Sequence, residues 1–278
     1  MPNHASDTPP GIAPVTAVVL AGGDRGDRLA AGAGVAAKAL VPIDGRPMGA
    51  YVLHALRECA AVQRTVYVGP TNGQLSGLSD VELPSGERLV DSLTLGFGAA
   101  LGSGASSVLL LSADIPWVDG AMITRFLEAC AAAGPADVYY PVVREEISKA
   151  RYPDHERTFV KLRDGRFTGA NLAFVGRSGV AALLPLVDRL YRGRKNPFAL
   201  AAMMGFDVLA SLLLGTASID RLERRASELL GRTVKAVISA DAELAADVDR
   251  PSHLPGVLDP ELPTRPHEPR LVAVDGLD

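Results

Sequence analysis

The sequence predicts an α/β protein built on a doubly wound, mostly parallel but mixed sheet, and three features predict it. Apolar runs of strand length alternate with helix-patterned stretches along most of the chain. Several of those runs are uninterrupted rather than alternating, the pattern of strands buried on both faces. The first run, VTAVVL, opens straight into a loop carrying Gly22, Gly23 and Gly26 with two arginines, and such sheets bind ligands beyond the carboxyl ends of their strands.

Taken in order, strands are predicted at 15–20 (VTAVVL), 65–69 (TVYVG) and 107–112 (SVLLLS), with helices at Gly49–Ala61 and Asp91–Leu101 between them. Strands alternating with helices imply parallel pairing. Leu20, Gly69 and Ser112 then fall together at the ligand-binding end of that half. A helix at Gly120–Ala133 follows, and then strands crowd at 138–143, 159–162 and 171–175, which turns the sheet mixed. Helices are expected at Ser178–Tyr191, at Pro197–Leu214 with Asn196 as cap, and at Ile219–Leu230 closed by Gly231, before a last strand at 234–238. No internal repeat interrupts this order.

The 278 residues suffice for one large domain with tails. The domain is expected at 15–254, after a disordered tail at 1–14. A Pro-rich extended tail follows at 255–278, with prolines at 255, 260, 263, 266 and 269. A net charge of −4 argues against a nucleic-acid groove, which needs a basic face. Cys59 and Cys130, each in an alanine-rich helical stretch, read as buried thiols rather than a disulfide. The leading MPNHASDTPPG has no apolar core, so no signal peptide and a cytoplasmic location are expected. The run 198–214 is too short for a membrane span, holds Asp207 and is split by Gly205. It reads as a buried helix or helix pair; the other reading is a greasy surface that docks a lipid-linked substrate.

The glycine loop can cradle phosphates, because glycine lets backbone N–H groups approach the oxygens and tolerates positive φ. Arg28 and Lys38 supply cationic charge beside it. The spelling excludes a Walker loop, since Lys38 sits between two alanines. It also excludes the usual dinucleotide loop, since the spacing is G-G-x-x-G and RTVYVGP ends without an acid. Asp114 lies two residues beyond a buried strand with Pro116 fixing the turn, where it is either a turn aspartate or a ligand for a divalent cation. Asp247 and Asp249 alternate on an extended segment and so can share a face, while simple solvation is the other reading of Asp247. His54 reads as a half-buried core histidine, and His155 as a loop residue with little case for catalysis. Trp117 either covers the pocket or packs. No Ser/His/Asp or Cys/His arrangement and no zinc-type spacing stands out.

LAGG at 20–23, a loop closing in Arg28-Leu29, and KALVPIDGRPM at 38–48 resemble the nucleotidyltransferase signature. That superfamily includes sugar-1-phosphate nucleotidylyltransferases, the methylerythritol-pathway cytidylyltransferase and MobA-like enzymes. The resemblance runs in separated motifs from Val15 to Leu254. It implies a Rossmann-like fold of the nucleotide-diphospho-sugar transferase type, in one domain with helical C-terminal additions. The activity it implies is transfer of a nucleoside monophosphate from a triphosphate to a small phosphorylated or hydroxyl acceptor, with pyrophosphate leaving. By resemblance Leu20, Ala21, Gly22, Gly23, Gly86, Arg88 and Ser92 bind the nucleotide, and Lys38 and Arg28 are catalytic. Asp114, in an L-x-x-D-x-P element, and Asp249, in a terminal D-x-D-x-P element, hold Mg²⁺. Gly169 and Asn171 hold the acceptor, with Arg157 meeting its phosphate. For Lys161 a solvated strand face is the competing reading. The partners implied are the triphosphate and a small-molecule acceptor, with no nucleic acid and no membrane; a homo-oligomer stays open.

The loop departs from the family spelling by one extra residue and by Asp24 and Asp27. That departure motivates a second reading, a nucleotide-binding regulator without turnover. A third is a metal-dependent glycosyltransferase of the GT-A type. Its Asp-x-Asp would follow SVLLLSAD, where this chain has Ser112-Ala113-Asp114.

Overall fold

The computed structural model describes residues 14–22, 26–193 and 205–253. Gly23, Asp24, the two predicted tails apart from Pro14, and the first half of the expected 197–214 helix therefore lie outside the described residues.

Among the described residues nine strands form one mixed sheet, eight of them in the order β5 (Val81–Leu83), β4 (Val62–Val68), β1 (Val15–Leu20), β6 (Ser107–Ser112), β10 (Leu172–Gly176), β7 (Val138–Arg144), β9 (Gly165–Gly169), β8 (Val160–Leu162). β11 (Val234–Ser239) lies along the other edge of β7. The β5-β4-β1-β6 half is parallel throughout, as the alternation of strands and helices requires. β10 runs antiparallel to both β6 and β7, and β9 and β8 continue the antiparallel half. The antiparallel pairing of β10 with β6 sets Leu172, at the start of β10, beside Leu111 at the carboxyl end of β6.

The first strand shows why its apolar run is unbroken. Val15, Ala17 and Val19 pack with α2 (Met48–Glu58) and α4 (Gly120–Ala132), while Val18 packs on the opposite face with Phe97 of α3 (Leu89–Gly102). Leu109 and Leu111 of β6 join the first face and Val108 the second. Each such fully buried aliphatic or aromatic side chain stabilises the fold by about 1.5–3 kcal/mol. Asp119 caps α4 by accepting from the Met122 N–H.

The 197–214 expectation is corrected. The described helix is Phe206–Leu213, and Gly205 before it takes φ +85°, so helical backbone does not run through it. Nor is the stretch buried throughout: Phe206, Leu213 and Leu214 are 78%, 81% and 76% exposed. Only Val208 and Ser211 of this helix are buried. The helix at Ile219–Leu230 matches its expectation, with Ser218 as N-cap and Gly231 in the left-handed region at φ +66°. No helix among the described residues is long and apolar enough to cross a membrane.

Candidate functional site

Two segments far apart in sequence are pinned together by a small core at the carboxyl end of β1 and β6. Leu29 of the short helix α1 (Arg28–Gly32), Val41, Ile43 and Met48 enclose Val248, which is fully buried. The segment holding Lys38 is shaped by a 3₁₀ turn at Lys38–Leu40 and a two-residue hairpin, β2 (Pro42–Ile43) to β3 (Arg46–Pro47). Asp44 and Gly45 both take positive φ in its turn, the Asp-Gly signature of a tight hairpin. Val248 also donates its N–H to the Asp114 carbonyl at 2.9 Å. With Val248 turned inward, Asp247 and Asp249 on either side of it face the site.

The result is a charged cluster. Lys38 Nζ donates to Asp114 Oδ2 at 2.7 Å and to Asp249 Oδ1 at 2.5 Å. Ser112 Oγ donates to the other Asp114 oxygen at 2.5 Å. The Lys38 and Asp114 side chains are 14% and 16% exposed, while that of Asp249 is 54% exposed and faces solvent. Burial works against the Lys38 charge, but Asp114 and then Asp249 outweigh it and hold the ammonium above its ordinary pKa. Burial also raises Asp249, yet the Lys38 contact wins and sets its carboxyl below the usual range.

Asp247 is not a solvated surface acid. It is mostly buried and pairs with Arg157 Nη1, and burial, helped by the negative charges of Asp249 and Asp114, keeps its carboxyl above the usual range. Asp114, Asp247 and Asp249 bring one oxygen each to within 4.8 Å of one another. These are hard oxygen donors of the kind Mg²⁺ takes, and an ammonium already bridges two of them, so the residues fit a cation.

Beside the cluster lies an open cleft of about 620 Å³ lined by Leu20, Gly22, Gly86, Ser92, Ser112 and Asn171, among others. Its two walls come close: a Cβ on Gly22 would stand 2.8 Å from that of Ser85. Gly86 donates its N–H to Ser92 Oγ at 2.9 Å, which shapes the loop over the start of α3. Ala21 is buried at the mouth of β1, and its N–H bonds to the Val68 carbonyl. Arg88 lines the cleft but points its guanidinium at Asp91 and Asp188. Asn171 is fixed by its backbone between Ser112 and Leu244, and its Nδ2 is buried with no partner among the described residues.

Arg157 reaches the same region yet is engaged on three sides, by Asp247, by Thr168 Oγ1 at 3.2 Å and by the Gly169 carbonyl at 2.9 Å. Arg28 opens α1 on the exposed surface, and none of the described hydrogen bonds or ion pairs engages its guanidinium. Lys161 is exposed on β8. Asp27, an awkward acid in sequence, is the N-cap of α1, accepting from Ala30 N–H at 2.9 Å. Trp117 packs between two small cores.

Sequence reasoning placed Ser112 at the ligand-binding end of the sheet but gave it no role, and it missed His253. His253 Nδ1 accepts from the Asp249 N–H at 3.3 Å, and its ring stacks on that of His155 at 4.0 Å. His155 lies in a loop, as expected, and is buried there. Ser112 had a faint signal as the polar end of an apolar strand; His253 had none.

Comparison with known proteins shows the family and the fold. A transferase structure from Thermus thermophilus, titled as hypothetical, is 38% identical and superposes with a TM-score of 0.76, covering 85% of this chain and 97% of that one. The bifunctional protein GlmU of Rhodospirillum rubrum is 28% identical over 260 residues, 83% of this chain; the chain spans 56% of that relative's length. The 4-diphosphocytidyl-2C-methyl-D-erythritol synthase of Anaerococcus prevotii shares the fold at 12% identity, with a TM-score of 0.52 over 86% of this chain and 92% of its own. Residues 17–236, most of the chain, match the MobA-like NTP transferase domain, and the protein belongs to that nucleotidyltransferase family.

Proposed function

We propose that this protein is a Mg²⁺-dependent nucleotidyltransferase. It moves a nucleoside monophosphate from a triphosphate to a small phosphorylated or hydroxyl acceptor and releases pyrophosphate. The observation that carries the reading is the meeting of Lys38, Asp114 and Asp249, joined to the cleft through Ser112, which lines it and donates to Asp114. Phosphoryl chemistry of this kind asks the protein for position and charge more than for a covalent nucleophile.

In this reading Gly22 and Gly23 present backbone N–H groups to the triphosphate, Leu20 and Ala21 hold the start of that loop at the end of β1, and Arg28 meets the terminal phosphates. Gly86 and Ser92 frame the base, with Arg88 holding the loop through Asp91 and Asp188. Asp114 and Asp249 hold the metal, which when bound supplies positive charge against the triphosphate. Lys38 neutralises charge that builds on the α-phosphate. Gly169 and the unmet amide of Asn171 face the acceptor. Arg157 serves that loop by fixing Thr168, the Gly169 carbonyl and Asp247 in place.

A thermal-shift panel of the four common nucleoside triphosphates with Mg²⁺ tests the reading. Saturation at 100 times Kd raises stability by about 2.7 kcal/mol. At least one triphosphate is expected to raise Tm in the wild type and to lose that effect in Asp114→Asn. No shift with any triphosphate, or a shift untouched in Asp114→Asn, overturns it.

A further inference from the structure

Every carboxylate of the cluster already has a cation of this chain against it. Lys38 spans Asp114 and Asp249, and Arg157 holds Asp247. Both oxygens of Asp114 are engaged, one by Lys38 and one by Ser112. An ammonium has three donors on one nitrogen, and Lys38 spends two of them on the two carboxylates that the reading above gives to the metal. A divalent ion on those oxygens would stand against the ammonium with like charge and with no water layer to screen it, because Lys38 and Asp114 are both largely buried.

Resting on that reading, we infer that Lys38 and the divalent cation compete for Asp114 and Asp249, so that the lysine guards the metal position and is released to the phosphates only as the metal enters. The exchange is self-consistent electrostatically. The triphosphate brings the anionic partner that Lys38 needs once it leaves the carboxylates, and the metal replaces the charge the carboxylates lose. Metal and nucleotide then bind cooperatively, and the coupling is reciprocal. The same side chain that acts on the α-phosphate thus makes metal binding weaker without nucleotide than with it, without abolishing it. Arg157 makes no such exchange, since its guanidinium is anchored to Thr168 and the Gly169 carbonyl as well as to Asp247.

The test is a Mn²⁺ titration of the full chain without nucleotide, followed by the electron paramagnetic resonance signal of free Mn²⁺. Lys38→Met is expected to bind Mn²⁺ about tenfold or more tightly than wild type, within the range of typical two-site couplings. Lys38→Arg, which keeps the charge, is expected to bind as weakly as wild type, and Lys38→Met with Asp114→Asn is expected to lose the gain. Equal or weaker Mn²⁺ binding by Lys38→Met overturns the inference.

Should Lys38→Met fail to fold, amine acetylation of the wild type read by mass spectrometry decides the matter. Lys38 is expected to be protected in the protein alone and several times more reactive in millimolar Mg²⁺, and unchanged protection overturns the exchange. Wild type that takes up Mn²⁺ neither with nor without triphosphate sinks the proposed function itself. Uptake with triphosphate but no gain in Lys38→Met sinks only the exchange.

Discussion

Lys38 and Asp249 stand 211 positions apart in the sequence and 2.5 Å apart in the fold. Neither is held there by its own segment alone. The buried Val248 and its enclosing apolar side chains bring the two stretches together, and the charged groups meet at the rim of that packing.

Removing either charge at this point is expected to stop chemistry without unfolding the chain. Lys38→Ala and Asp114→Asn should each cut pyrophosphate release by roughly 10²–10³-fold, the usual cost of losing one well-aimed charge in such a site. A circular-dichroism melt should remain cooperative. Release near the wild-type rate in either variant would contradict the assigned roles.

Arg157 is expected to matter for stability as well as for the acceptor loop. Arg157→Ala leaves Asp247 largely buried and unpaired, at a cost of about 2–3 kcal/mol given its partial exposure. Denaturant unfolding should show that loss, and adding Asp247→Asn should recover part of it. An Arg157→Ala variant as stable as wild type would show that Asp247 needs no partner.

The close approach of the cleft walls gives a third expectation. In Gly22→Ala the new methyl would stand 2.8 Å from Ser85 Cβ and push the walls apart. Triphosphate affinity should fall by about tenfold, about 1.4 kcal/mol, and Ser85→Gly in the same chain should restore much of it. Additive losses in the double variant would mean that the two residues do not press on each other.

Acid titration should expose the Lys38–Asp249 pair. Asp249 has a folded pKa below the 3.8 of an ordinary aspartate, so its contribution to stability is present above that value and is lost as pH falls through the folded pKa. Lys38, raised above 10.5, contributes at all lower pH and loses its share only in strong alkali. The stability gap between wild type and Asp249→Asn should therefore be flat from about pH 5 to about pH 9 and shrink below about pH 4. A gap that widens on acidification would contradict the pairing.

Much of the fold was legible because its strands are long and buried on both faces. Each of the seven strand expectations corresponds to an observed strand, and VTAVVL and SVLLLS match residue for residue. The strands of the main sheet that escaped notice are those with little apolar signal: VEL is three residues long, and GRFTG is bounded by glycines. The helix Glu145–Arg151 escaped because a short, mostly polar helix on the surface has no apolar stripe to read. Gly205 was visible, but whether a glycine breaks or continues a helix depends on its φ, and sequence does not carry that.

Within the site, Asp114 stood out from its place beyond a buried strand, whereas the catalytic role of Lys38 and the choice of Asp249 as ligand came from the family resemblance. What was not legible is who pairs with whom. Arg157 read as a free cation for an acceptor, yet three groups of this chain engage it. Asp27 read as a departure from the family loop, and it caps a helix. Long-range partners such as His253 are set by packing and leave no local pattern.

The central claim is that Asp114 and Asp249 together hold one divalent cation against the bound triphosphate. Mn²⁺ binding in the presence of the preferred triphosphate, measured on wild type, Asp114→Asn and Asp249→Asn, tests it most directly. The account predicts one tight Mn²⁺ in the wild-type ternary complex and a loss of about 10-fold or more in each variant, the scale on which a missing metal partner is felt. Unchanged Mn²⁺ affinity in Asp249→Asn would contradict it.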